Sequence, residues 1–435
     1  MSSAKMQGMW PQPATRRALS PAVVAVLILF TYLALPADLF GQDNGQTPPP
    51  AHVVEPGDTW QALAYRYGLS IEQLQAVNPH PNPRRQPVIG DTIDLPAEAG
   101  PPRSGMIVAG HEGGVLQSAA RHQLNPWYLA HTNGLRNPFR PLFQRPLFVP
   151  GGEGAPRQLP PGFQQLELSR VPAQPGQALA IRGQVDGPEQ ATVTLGSAQF
   201  DTFIQGQRFV SLGATGAFFT PGAPELTIGT PGAPLWSQPW RIVPGVWEYD
   251  QVTLTGAAAE IDQEAIAAER ERLFQIWSRT TPEPQWQGPF QTPIDDYLAV
   301  SSTYGARRSY NGGPYSTYHE GVDFSAYAGT PVYASGDGTV VLAEMLYVRG
   351  GAVIIDHGLG VFSGYYHMSA VHAQPGQVVQ AGTLVGEVGT KGLSSGNHLH
   401  WDLLVARTWV DAAAWRDQNL ACWILEGWGQ SCAPS

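Results

Sequence analysis

The stretch GNHLHWDL, residues 396–403, places His398 and His400 two positions apart. On a strand, side chains at positions i and i+2 project to the same side, whereas on a helix they diverge. The apolar run that begins at Trp401 favours a strand, and Ser394–Gly396 favours a turn that leads into it. The segment therefore predicts a β-strand that presents two imidazoles on one face. For this segment taken singly, a surface histidine pair is the alternative.

Two further segments carry residues of the same chemical type. YHEGVDF, residues 318–324, contains His319 and Asp323, and Gly321 argues against a helix there. On an extended segment positions i and i+4 share a face, so both side chains can point at one ion. GYYHMS, residues 364–369, adds His367.

These residue types together suit a catalytic zinc site. Zinc takes imidazole nitrogen and carboxylate oxygen in tetrahedral sites, and a catalytic site keeps one position for water. Further histidines beside the metal supply proton transfer. The three segments therefore predict metal-assisted hydrolysis if the fold brings them together.

The C-terminal region, residues 286–420, resembles the LytM/lysostaphin-type endopeptidase family. The matching segments are SSTYGARR (301–308), HEGVDFSAYAGTPVYASGDGTVV (319–341), VIIDHG (353–358), GYYHMS (364–369), PGQVVQAGTLVGEVGTKG (375–392) and NHLHWDL (397–403). The resemblance implies a compact antiparallel β core with an open groove. It also implies hydrolysis of peptide bonds in bacterial peptidoglycan.

The same resemblance implies a role for each site residue. His319, Asp323 and His400 would hold zinc, and His367 and His398 would flank the metal-bound water. One of the two flanking histidines would help to deprotonate the water, and both could stabilise the oxyanion that forms on attack.

A compact unit at residues 52–96 resembles a LysM domain. It has V-x-P-G-D-T at residues 54–59, a helix that ends at Tyr67-Gly68, and GDTIDLP at residues 90–96. Its pattern predicts a βααβ order. The resemblance implies binding to glycans that contain N-acetylglucosamine, and a plain spacer is the alternative.

Residues 106–150 repeat this unit. At an offset of 55 positions Ala64 matches Ala119, and Asn78 matches Asn133. The second copy departs from the pattern at residues 110–114, where GHEGG replaces EPGDT. We interpret it as a degenerate LysM-like unit whose alternative is again a spacer.

The remaining segments complete a multidomain, mainly β organisation. Short alternating runs at residues 163–255 predict a small β-sandwich that acts as a spacer. Residues 257–285 predict a helical linker, and the tail at residues 421–435 carries a predicted disulfide between the two cysteines, Cys422 and Cys432. Gly- and Pro-rich linkers are expected at residues 42–51, 97–105 and 151–162.

Residues 1–41 read as an export signal. Arg16 and Arg17 precede the apolar run Ala22–Leu35, which is shorter than the roughly 20 residues of a usual membrane-spanning helix. A cleaved signal peptide and an uncleaved membrane anchor are both open. In either case the rest of the chain is expected outside the cytoplasm.

Composition limits the classes of partner. The formal charge of −10 gives no electrostatic footprint for nucleic acid. Because the positions His319, Asp323, His367, His398 and His400 of the resemblance are all filled, the leading hypothesis is a zinc endopeptidase acting on peptidoglycan, with LysM as a tether that raises local substrate concentration. The alternative is a non-catalytic, peptidoglycan-binding regulator that activates other wall hydrolases.

Overall fold

The computed structural model describes residues 50–79, 85–108, 114–139, 147–151, 154–253, 262–417 and 420–433. The predicted export signal at residues 1–41 lies outside these ranges. Among the described helices, none combines the length and apolar character needed to cross a membrane.

The first unit has the predicted βααβ order. Its elements are β1 (Ala51–Val53), α1 (Trp60–Tyr67), α2 (Ile71–Val77) and β2 (Thr92–Asp94), and the two strands pair antiparallel. Thr59 caps the start of α1 by accepting from the amide of Ala62, and Gly68 ends that helix at φ 68°. Leu63, Leu74 and Ile93 are buried between the helices and the strands.

The second unit repeats this order. Its elements are β3 (Gly105–Val108), α3 (Gly114–Arg121), α4 (Pro126–Thr132) and β4 (Leu147–Pro150). Asn78 and Asn133 follow the second helix of each unit and share three hydrogen bonds, and Asn133 also accepts one from the hydroxyl of Tyr65. Each amide nitrogen donates to a carbonyl of that helix and to one of the final strand, and each amide oxygen accepts from a backbone N–H of the final strand.

The middle of the chain forms one continuous antiparallel sheet of seven strands. They are β5 (Phe163–Leu168), β6 (Ala178–Val185), β7 (Thr192–Leu195), β8 (Ala198–Gln205), β9 (Arg208–Ala214), β10 (Glu225–Gly229) and β11 (Trp236–Pro239), in the order β11-β10-β7-β8-β9-β6-β5. Residues near both edges, such as Leu166 and Leu226, share one core, so the sheet coils around it.

The first unit is docked on this sheet. Arg241 donates two hydrogen bonds to the carboxylate of Asp91, at 2.6 and 2.7 Å. The buried Gln238 accepts from the amide of Gly57 and donates to the carbonyls of Asp58 and Pro87. The bidentate ion pair and the three hydrogen bonds of the buried amide hold the first unit against the sheet.

Two elements link the sheet to the C-terminal region: β12 (Tyr249–Val252) and α5 (Gln263–Trp277). Asp262 caps α5 by accepting from the amide of Glu264. Leu273 and Trp277 are buried in a cluster with Tyr366 and Trp409, so the predicted linker helix packs against the C-terminal region.

The C-terminal region is a mainly antiparallel β structure, and the pair β12-β14 is parallel. Its strands are β13 (Ala299–Ser302), β14 (Arg307–Tyr310), β15 (Thr317–Tyr318), β16 (Gly321–Ser325), β17 (Pro331–Tyr333), β18 (Gly338–Leu346), β19 (Gly350–Gly358), β20 (Val361–Met368), β21 (Ala370–Val371), β22 (Val378–Val379), β23 (Leu384–Glu387), β24 (His398–Val405) and β25 (Thr408–Val410). The main sheet has the order β13-β16-β24-β20-β19-β18-β22, and β25 pairs with the second half of β24. Two small sheets, β12-β14-β15 and β17-β23-β21, lie beside it.

Two short helices end the described chain: α6 (Ala413–Asp417) and α7 (Leu420–Trp428). Leu425 of α7 is fully buried, and a disulfide joins Cys422 to Cys432. The predicted tail therefore contains a packed helix.

The middle sheet and the C-terminal region share a core. Along β6, Leu179 and Ile181 face the interior of the coiled sheet, while Ala178 and Ala180 face α7 and the main C-terminal sheet. Consecutive strand residues point to opposite faces, so a strand buried on both sides reads as a continuous apolar run. The middle sheet therefore packs directly against the C-terminal region through β6.

Candidate functional site

Adjacent antiparallel strands carry three of the five predicted site residues. The register pairs Asp323 of β16 with His400 of β24, and His398 lies on the same face of β24 as His400. The strands approach so closely at Gly321 that a Cβ there would lie 2.3 Å from the carbonyl oxygen of Trp401. Only glycine fits this position, because a side chain there would also meet Nε2 of His400.

Three ligand atoms converge between these strands. Asp323 Oδ1 lies 2.8 Å from His400 Nδ1 and 3.0 Å from His319 Nε2. The two ring nitrogens are 3.0 Å apart. This His-Asp-His group, within the described residues, has the spacing of a metal site.

Hydrogen bonds from outside the site orient His319 and Asp323, and a carboxyl group lies behind His400. His319 Nδ1 donates to the carbonyl of Thr303 at 3.0 Å, which leaves Nε2 as the free lone pair. Arg308 Nη2 donates to the second carboxylate oxygen of Asp323 at 3.2 Å. Behind His400, the carboxylate of Asp402 lies 3.9 Å from Nε2 and accepts from the indole of Trp409 at 2.9 Å.

Two more imidazoles lie beside the three ligands. His398 Nε2 is 3.8 Å from Asp323 Oδ1, and the rings of His367 and His398 are 4.8 Å apart. Nδ1 of His367 donates to the carbonyl of Lys391 at 2.8 Å, and Nδ1 of His398 donates to that of Gly396 at 2.9 Å. In this tautomer both Nε2 atoms can accept a proton.

The electrostatics keep the carboxylate of Asp323 charged and the imidazoles of His400 and His367 neutral. Burial opposes the charge of Asp323, but hydrogen bonds with His319 and His400 outweigh it and hold its pKa well below the usual range. Burial lowers the pKa of His400 to about 3. Burial, together with the neighbouring His398, lowers the pKa of His367 to about 4. Anionic oxygen and neutral nitrogen are the forms that bind metal ions.

The structure separates these residues from the other histidines of the region. His357 is completely buried and bonds the carbonyl of Asp337 and the hydroxyl of Ser363. His372 is exposed and pairs with Glu387 at 3.0 Å.

Sequence reasoning singled out neither Thr303 nor Asp402. Asp402 stands two residues after His400 on the same strand. The i, i+2 rule that places His398 and His400 on one face therefore also places Asp402 on that face. No sequence signal identifies the Thr303 carbonyl, because that contact depends on the tertiary fold.

Two regions of the chain match models of known protein families. Residues 317–412 match the model of peptidase family M23, and residues 52–96 match the LysM domain model. The peptidoglycan DD-endopeptidase ShyA of Vibrio cholerae is 37% identical over 120 residues, which are 28% of this chain and 28% of that protein. The DD-carboxypeptidase/endopeptidase Mpg of Neisseria meningitidis is 36% identical over 121 residues, 27% of each protein. The chain thus covers little more than a quarter of these relatives.

Among solved structures, the catalytic domain of lysostaphin from Staphylococcus simulans is 28% identical, with a TM-score of 0.21. The match covers 29% of this chain and 86% of that domain. From the two family matches, the chain carries a peptidase family M23 domain at residues 317–412 and a LysM domain at residues 52–96.

Proposed function

We propose that this protein is a zinc-dependent endopeptidase that hydrolyses peptide bonds of bacterial peptidoglycan. The observation that carries the proposal is the convergence of His319, Asp323 and His400, with two proton-accepting imidazoles beside them. The relatives named above include a peptidoglycan DD-endopeptidase and a DD-carboxypeptidase/endopeptidase, so the D,D cross-link is the first substrate to test.

The donor set fits zinc. Two imidazole nitrogens and one carboxylate oxygen match the three protein ligands of catalytic zinc sites. The ring nitrogen of His319 that faces away from the site donates to a carbonyl, as is usual for metal-binding histidines. The corresponding nitrogen of His400 lies 3.9 Å from the carboxyl group of Asp402. Zinc bound there would supply Lewis acidity, which polarises the peptide carbonyl and lowers the pKa of water.

His367 and His398 would transfer the protons. Each has its Nδ1 proton committed to a backbone carbonyl, so the free Nε2 can take a proton from the attacking water. Burial lowers the pKa of His367 to about 4, so its imidazole is neutral at neutral pH and Nε2 carries a free lone pair. Once protonated, either ring can donate to the oxyanion or to the leaving amine.

The LysM domain supports peptidoglycan as the polymer. We propose that it binds N-acetylglucosamine-containing glycan outside the cytoplasm. Its docking through Asp91 and Arg241 makes it a fixed part of the body that carries the peptidase domain. Glycan binding would therefore hold the active site at a set distance from the strand.

The test is digestion of purified peptidoglycan by the chain from residue 42 onwards. We expect soluble peptides with new amino termini, no release after chelation, and recovery when zinc is added back. His400→Ala should abolish release. His372→Ala removes an exposed imidazole that pairs with Glu387 and should keep the wild-type rate. Binding of zinc-loaded protein to peptidoglycan without any release would favour the regulator instead.

A further inference from the structure

Helix α5 buries a carboxylate beside the M23 domain. Glu269 is 8% exposed and lies on the same helical face as Leu273 and Trp277, which are both buried. Glutamate is rarely buried without partners, because leaving water costs free energy that only hydrogen bonds or opposite charge can offset.

The partners of Glu269 belong to the turn between β18 and β19. Oε2 accepts from the amide of Val348 at 2.7 Å. Oε1 accepts from the amide of Arg349 at 3.1 Å and from its guanidinium at 3.3 Å. One side chain of α5 therefore fixes both the backbone and the side chain of this turn.

The same turn supports His367. The carbonyl of Arg349 accepts from the amide of His367 at 2.8 Å. The carbonyl of Val348 accepts from the amide of Leu393 at 2.6 Å, and the nearby carbonyl of Lys391 orients the ring of His367. The turn thus contacts both the backbone of His367 and the segment that sets its tautomer.

His367 also needs external support. Its φ of 63° lies in the left-handed region, which residues other than glycine rarely adopt. Such a conformation persists only where the surroundings hold it. The guanidinium of Arg349 packs 5.2 Å from the ring of the preceding Tyr366, which adds to this support.

We propose that Glu269 is a positioning residue for His367. It acts through the Val348–Arg349 turn and touches none of the reacting groups. The proposal rests on the proposed function only in taking His367 as a proton-transfer group. Glu269→Gln tests it, because the new amide can present an oxygen to one donor but turns an N–H toward another.

Enzyme kinetics and NMR, both on the full chain, test whether Glu269 positions His367. With zinc bound, Glu269→Gln should lower kcat about 10- to 100-fold, the usual range for residues that support a site from behind. KM and zinc content should stay at wild-type values. Independently of activity, NMR of ring-labelled histidines should show the His367 signal displaced and the His372 signal unchanged.

Leu273→Val is the matched control. It weakens the packing of the same helix but leaves the carboxylate and its three donors in place. It should lower Tm while keeping kcat within about twofold, since a partial loss of packing does not remove a hydrogen bond.

The proposal is overturned if Glu269→Gln leaves kcat and the His367 signal at wild-type values. It is also overturned if Leu273→Val lowers kcat as much as Glu269→Gln does. A wild-type protein that cuts no peptidoglycan would contradict the proposed function alone, because the NMR comparison still tests the support of His367.

Discussion

Arg308 and Asp323 are joined by a hydrogen bond of 3.2 Å between Nη2 and Oδ2. This contact occupies the carboxylate oxygen that faces away from His319 and His400, and it leaves Oδ1 directed at their ring nitrogens. Arg308 is itself placed by the hydroxyl of Ser302, which donates to Asp250 of β12. A segment outside the matched M23 residues therefore contributes to the orientation of a candidate metal ligand.

Replacing this arginine should weaken metal binding. Arg308→Met keeps much of the aliphatic volume but frees Asp323 to rotate, so we expect zinc affinity to fall about 10- to 100-fold. A chelator competition titration measures this. Arg272→Met removes an exposed guanidinium that pairs with Glu344 and should leave the affinity unchanged. Equal affinities for wild type and Arg308→Met would show that the contact does not orient the ligand.

The two histidines of β24 should have different roles, with His400 binding the metal and His398 transferring protons. His400→Ala removes a ligand and should abolish both zinc content and hydrolysis. His398→Ala should retain zinc yet lower kcat about 10²- to 10⁴-fold, the range for loss of a general acid or base. Metal analysis of the purified variants, beside their rates, makes the comparison. Loss of zinc in His398→Ala would instead place that residue among the ligands.

The sequence pattern predicted the strand that carries His398 and His400. The spacing of His398 and His400 identifies a strand and a shared face, because strand periodicity is a property of the backbone alone. The pairing of Asp323 opposite His400 depends on the register between β16 and β24, which are separated by long stretches of chain. No local pattern fixes that register.

The sequence also does not predict the burial of Glu269. A charged residue in a helix rich in Glu and Arg reads as solvated, and only the tertiary fold shows that α5 presents it to the Val348–Arg349 turn. The repeat was visible for the opposite reason. Asn78 and Asn133 each join the second helix of a βααβ unit to its final strand, so the residue type recurs with the unit.

Removing one of these asparagines should loosen its own unit. Asn133 is 5% exposed, and Asn133→Ala would leave two backbone carbonyls and one amide without their partner. We expect a local loss of about 1–3 kcal/mol, the cost of unsatisfied buried groups. Hydrogen exchange in α4 and β4 should speed up accordingly. Asn137→Ala removes an exposed amide and should not change it, and unaltered exchange in both variants would contradict the assigned role.

The stability of the protein should depend on pH through His357. Burial lowers the pKa of this histidine from 6.5 to about 4. Between these values the unfolded chain binds a proton that the folded chain does not, so stability is full above about pH 6.5 and falls as pH is lowered toward 4. One pKa unit corresponds to about 1.4 kcal/mol, so the loss is on the order of 3 kcal/mol.

His357→Gln isolates this contribution. Glutamine can donate and accept hydrogen bonds in the same cavity but does not titrate. His367 and His400 also have lowered pKa values, and because both proteins retain them their effects cancel in the difference. Denaturant unfolding measures the free energy of unfolding of the two chelator-treated proteins between pH 4 and pH 8. The difference between wild type and His357→Gln should shift in favour of wild type from pH 4 to about pH 6.5 and stay constant above that pH. A constant difference across the whole range would mean that His357 is not held neutral by burial.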